Sequence, residues 1–128
     1  MRLRLIASVC LSLCFAAALI AQEGGADPLS GIWFGYYGTN PRDQSQVRVA
    51  LKWDGKALTG SVTTGEDPFE LENATFEPST GAVHMEVVVP GRGRSDYHYV
   101  IDGKLDNGTI SGSWRHESGR GDFKITQL

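Results

Sequence analysis

Past residue 21 the sequence has no cysteine, because Cys10 and Cys14 are its only two. For the body of the chain this excludes a disulfide scaffold, a thiolate nucleophile and a Cys-based metal or redox site. No stretch of ten residues spaces its apolar positions by three and four, so a helix longer than a turn is not expected. Positive charge is scarce as well. Setting aside Arg2 and Arg4, ten Lys and Arg face fifteen Asp and Glu, and this balance of −5 argues against nucleic acid or an anionic membrane surface as a partner. The G-x-S-x-G elbow, the H-E-x-x-H helix, the P-loop and the dinucleotide fingerprint are all missing. The chain is therefore read as a non-enzyme, and nothing in it calls for a cofactor.

What is present divides into a greasy start and a polar remainder. Arg2 and Arg4 precede an uncharged apolar run from Leu5 to Ile20, and Ala21 before Gln22 offers a small residue for cleavage. Residues 1–21 are expected to be a signal peptide, the alternative being an uncleaved anchor, and the chain is expected to be exported to the periplasm or outside the cell. No stable membrane insertion is expected once the leader is cut. Residues 22–29 are small and polar and read as a flexible arm. All 16 glycines lie after the leader.

From residue 30 to 128 the apolar period is two. Val47, Val49, Leu51 and Trp53 alternate with polar or small residues, as do Val83, Met85 and Val87, then Tyr97, Tyr99 and Ile101, then Ile110, Gly112 and Trp114. Turn signals separate the runs: Asp54-Gly55, Pro78-Ser79-Thr80-Gly81, Pro90-Gly91, Asn107-Gly108 and Ser118-Gly119. With Ser30–Tyr37 as the first strand and Phe69–Phe76 as the fourth, the count is eight. An all-β domain is expected, a single eight-stranded antiparallel up-and-down barrel whose closure removes exposed edges. The segments from Asp54 to Val62 and from Asp106 to Trp114 echo one another, which suggests one hairpin used twice. Keeping inward faces in register pairs Leu51 with Gly60, Trp53 with Leu58, Gly103 with Gly112 and Ile101 with Trp114.

Gly31-Ile32-Trp33, opening the first strand, resembles the G-x-W signature of calycin-type barrels, the lipocalins, fatty-acid-binding proteins and avidins. The resemblance implies that Trp33 closes one barrel end and that the interior holds a small ligand. Asp54-Gly55-Lys56-Ala57-Leu58-Thr59-Gly60-Ser61 is similar to an avidin-type hairpin, but Gly35 stands where that group places an amide side chain. Biotin is therefore not the expected ligand. The chain also resembles small exported bacterial β-barrel domains of uncharacterised role.

Three functions are weighed. In the first, a small, partly apolar molecule binds inside the barrel, walled by Trp33, Trp53, Tyr97, Tyr99 and Trp114, with tyrosine hydroxyls as directional groups. In the second the same aromatics only fill the barrel, and the outer face and loops, including Arg92 and Arg94, serve as a protein- or surface-interaction module. The third uses His84, Glu86 and His98. If Met85 faces Tyr99, then Glu86 faces His98 with His84 and Asp96 near, a set able to bind a divalent metal or move a proton. Exposed carboxylate and imidazole pairs are ordinary on a barrel exterior, so the first function is preferred. His116 has no evident link to the other histidines.

Overall fold

The computed structural model describes residues 27–91, 93 and 95–128. The expected signal peptide, most of the expected arm, and Arg92 and Arg94 lie outside the described residues. Nine strands follow in chain order: β1 (Gly31–Asn40), β2 (Asp43–Trp53), β3 (Leu58–Thr63), β4 (Pro68–Glu70), β5 (Glu72–Glu77), β6 (Ala82–Val89), β7 (Tyr97–Asp106), β8 (Thr109–His116) and β9 (Gly119–Gln127). The described residues form no helix.

The strands make one antiparallel sheet in the order β4-β3-β2-β1-β9-β8-β7-β6-β5. Each strand neighbours its sequence successor except β4, which does not pair with β5. The first and last strands pair directly, from Trp33 opposite Gln127 to Gly38 opposite Asp122. At the other seam β4 pairs with β3 and β5 with β6, while only Leu71 separates β4 from β5 along the chain. The Leu71 amide donates to the Gly60 carbonyl at 2.9 Å. One bent strand thus carries the sheet across the seam, and the result is a nearly closed meander barrel.

That bent strand is the expected fourth strand in two pieces, which is why nine are found rather than eight. Asn73 has φ +27°, and the β5–β6 register shifts between Glu72 and Thr75. Asn tolerates the left-handed region better than most residues, and a bulge bends and twists the strand that carries it.

The expected pairings across β2–β3 and β7–β8 are present: Leu51 with Gly60, Trp53 with Leu58, Ile101 with Trp114 and Gly103 with Gly112. The β6–β7 register differs by two residues from the expectation. Met85 stands opposite Ile101 and Val87 opposite Tyr99, so Glu86 faces Val100 rather than His98. A slip of two leaves each side chain on its face, so alternation alone cannot separate the two registers. The observed one sets His84 opposite Asp102, an ion-paired neighbour, and ends the ladder at Val89, before Pro90, which has no amide hydrogen to continue it.

Inward positions build a core from Val47, Val49, Leu51, Leu58, Val83, Met85, Val87, Ile110 and Ile125, all buried. Each such side chain contributes about 1.5–3 kcal/mol by leaving water, the main force holding a barrel whose described residues include no cysteine. One barrel end is sealed by Trp33 and Leu29, both 0% exposed, with the Trp33 indole N–H donating to the Leu29 carbonyl at 2.8 Å. Asp27 fixes the approach to this end, its Oδ1 accepting from the Leu29 amide at 2.9 Å and the Ser30 amide at 3.0 Å. The last residues of the segment read as an arm are therefore tied to the barrel.

Glycine shapes the inside of the wall. Phe123 stands opposite Gly112, which stands opposite Gly103, and a Cβ on Gly103 would lie 2.7 Å from Phe123 Cζ. The ring therefore lies across two strands that offer it no side chain.

Candidate functional site

The barrel end opposite Trp33 is open. β1 and β2 bring Tyr37 and Val47 to it, and β6, β7, β8 and β9 bring Val87, Tyr99, Trp114 and Phe123. Between them is a cavity of about 110 Å3, floored by Met85, Val49 and Ile125 and flanked by Val62 and Phe69. Thr64, Tyr37, Tyr99 and Trp114 are the lining residues that carry a polar side-chain atom, and none of the described residues lining it is an acid, a lysine, an arginine or a histidine.

The mouth is aromatic. Trp114 has Tyr37 edge-on at a centroid distance of 6.0 Å and Tyr99 tilted against it at 5.7 Å. His116, two residues beyond Trp114 on β8, stacks on the indole at 5.6 Å and meets Tyr99 at 4.9 Å and Tyr97 at 5.0 Å. Such edge-on and offset contacts satisfy the ring quadrupoles and fix the rings' orientation. Burial pushes the Tyr99 phenol up from its ordinary value, and nearby Tyr37, Tyr97 and Glu117 push the same way. Tyr99 thus stays a neutral hydroxyl, able to donate. Glu117 ties the β8–β9 turn to β7 by accepting from the His98 amide at 2.9 Å, a bond that holds its carboxyl below the usual range.

Trp114 is 7% exposed, and its Nε1–H is closed off from solvent with no hydrogen-bond partner among the described residues. Trp33, by contrast, places its N–H on a carbonyl. A buried polar group left unpaired costs about 1–3 kcal/mol.

The five expected wall residues are distributed over the whole barrel. Tyr99 and Trp114 line the cavity. Tyr97 stands at the rim against His116. Trp33 lies in the sealed end, and Trp53 lies near it, its ring edge-on to Phe76 at 5.2 Å and its amide held by Ser30 Oγ at 2.8 Å. His116, which no spacing argument connected to the other histidines, belongs to the aromatic mouth. Its signal was parity: two residues after an inward Trp, it shares that face.

On the outside, His84, Glu86 and His98 do converge, joined by Asp102 in place of the expected Asp96. His84 Nδ1 lies 2.6 Å from Asp102 Oδ1 and its Nε2 2.8 Å from Glu86 Oε2, while His98 Nε2 lies 2.9 Å from Glu86 Oε1. Asp96 instead accepts from the Gly91 amide at 3.4 Å, within the β6–β7 loop. The hydrogen bonds that His84 donates to Asp102 and then to Glu86 raise its pKa above the ordinary value, and the bond from His84 lowers that of Glu86. With a carboxylate at each ring nitrogen, His84 is suited to be an imidazolium donor at both, which leaves no lone pair for a metal. Among the described residues no group of three His, Cys, Asp or Glu is arranged to hold one.

No protein family matches the chain, and no curated protein or solved structure matches it.

Proposed function

We propose that this chain is an exported, non-catalytic barrel of calycin-like type that binds a small, mainly apolar ligand in its open end. The observation that carries the reading is the asymmetry of the barrel. Trp33 and Leu29 seal one end, while the other holds an apolar cavity of about 110 Å3 ringed by Tyr37, Tyr99 and Trp114. A dry cavity of about 150 Å3 is enough for benzene, whereas drug-sized ligands need roughly 300 Å3 or more. At about 110 Å3 the cavity is smaller than that benzene-holding one, so what enters is a short alkyl chain or part of one ring, with the rest of the ligand standing in the open mouth. Trp33 at the sealed end and the up-and-down strand order support the calycin comparison; the basic, apolar leader supports export.

Titration with toluene tests this. Binding is expected to saturate and to shift the NMR signals of Tyr37, Tyr99 and Trp114, leaving Phe34 and Tyr36 unmoved. Absence of saturable binding would count against the pocket.

A second reading has one observation in its favour. Phe34 and Tyr36, on the outer face of β1, are 38% and 47% exposed, with ring centroids 6.3 Å apart beside a shallow depression bordered by Lys124 and Thr126. Such a patch suits an interaction module that works through the barrel's exterior. N-terminal sequencing of the secreted protein tests export, with a start near Gln22 expected.

A further inference from the structure

Resting on the pocket reading above, the chemistry of the wall narrows the ligand. Trp114 lines the cavity, is 7% exposed, and has an indole N–H with no acceptor among the described residues. That group can only donate. A purely apolar ligand would leave it unpaired, and so would an ammonium ion, which also only donates. A ligand oxygen that accepts would satisfy it. The described lining residues carry no cation to neutralise a carboxylate or phosphate, and Glu117 is close enough to the mouth to act on Tyr99, so an anion is disfavoured.

We propose that the open end of the barrel selects an uncharged, ring-sized or short-chain molecule bearing a carbonyl-type oxygen, with Trp114 Nε1–H donating to that oxygen. Ketones, lactones, esters and amides of this size share that chemistry. The apolar part lies against Val62, Met85 and Phe123, with the oxygen turned toward the indole edge. The Tyr99 hydroxyl, neutral across the physiological range, offers a second donor at the mouth.

Cyclohexanone and methylenecyclohexane test the assignment, being close in shape and differing in C=O against C=CH2. Each is titrated into the 15N-labelled protein, with the three indole signals resolved and that of Trp114 identified by its loss in Trp114→Phe. With cyclohexanone the Trp114 indole proton is expected to move downfield on saturation, and with methylenecyclohexane it is not. The affinity ratio of ketone to alkene is expected to fall about fivefold in Trp114→Phe, the effect of one net hydrogen bond. If both probes bind, the indole proton stays in place and the ratio is unchanged, the acceptor inference is wrong and the pocket reading stands. If cyclohexylammonium binds more tightly than the ketone, the mouth is a cation-binding aromatic cage and the inference is overturned. If none of the three binds, the pocket reading fails and the inference with it. Where Trp114→Phe does not fold, the Trp114 indole signal is assigned in the unaltered protein from its NOE contacts to Tyr37 and Tyr99, and the indole measurement alone decides the matter.

Discussion

Trp114 stands directly opposite Gly121 across the β8–β9 ladder, and a Cβ on Gly121 would come within 2.9 Å of the indole Cζ2. The same Cβ would lie 1.9 Å from the Gly38 carbonyl oxygen on β1. The indole can occupy the mouth because the strand beneath it presents no side chain. Gly121→Ala is therefore expected to destabilise the protein by about 1–3 kcal/mol through overpacking. Urea unfolding measures this, and a change in native Trp fluorescence would report the displaced indole.

The sealed end gives a contrasting case. Trp33 is fully buried and its N–H is satisfied by Leu29. Trp33→Ala is expected to cost about 3–5 kcal/mol, from the cavity left in the core. The measurement is the urea midpoint. A loss below 1 kcal/mol would mean that this end collapses around the missing ring and is not a rigid seal.

Filling the open end separates binding from folding. Val89 is partly buried at the mouth, and Val89→Trp places a large ring over the cavity without opening the core. Toluene and cyclohexanone binding are expected to be lost while the unfolding midpoint stays within about 1 kcal/mol of the parent. Retained binding would relocate the ligand away from the barrel end.

The outer-face network makes stability depend on pH in a definite direction. The folded-state pKa of His84 is raised above 6.5, first by Asp102 and then by Glu86, so its contribution is full below 6.5 and lost as pH rises through the raised value. The folded-state pKa of Glu86 is lowered below 4.5, first by the bond from His84, so its contribution is present above 4.5 and lost as pH falls through the lowered value. Together they stabilise the fold most between 4.5 and 6.5. Thermal unfolding across pH is expected to show the wild type losing stability above 6.5 relative to His84→Gln, which lacks the titrating ring. Parallel profiles would show that these ion pairs are too solvated to matter.

Much of this fold was legible in the residues. Alternation of period two identified every long strand, and the Asp54-Gly55 and Asn107-Gly108 turns fixed the β2–β3 and β7–β8 registers, because a tight turn leaves little freedom in what pairs beside it. The β6–β7 register was not legible. Its connection runs from Pro90 to Asp96, and a longer loop permits a slip of two that alternation cannot detect. The break at Leu71 was hidden too, since a bulge at Asn73 depends on which neighbours each half of the strand finds.

For the candidate site, the sequence determined which residues face inward, because side-chain direction in a strand is a local property of the backbone. It supplied Trp33, Trp53, Tyr97, Tyr99 and Trp114 as one inward set. Only the tertiary structure decided that Trp33 seals one end while Tyr99 and Trp114 line the other, because depth along a barrel depends on strand tilt and closure, which no single strand records. Tertiary packing likewise set Tyr37 of β1 on the Trp114 ring and left the Trp114 N–H without a partner among the described residues, since whether a donor is satisfied depends on what the other strands bring to it.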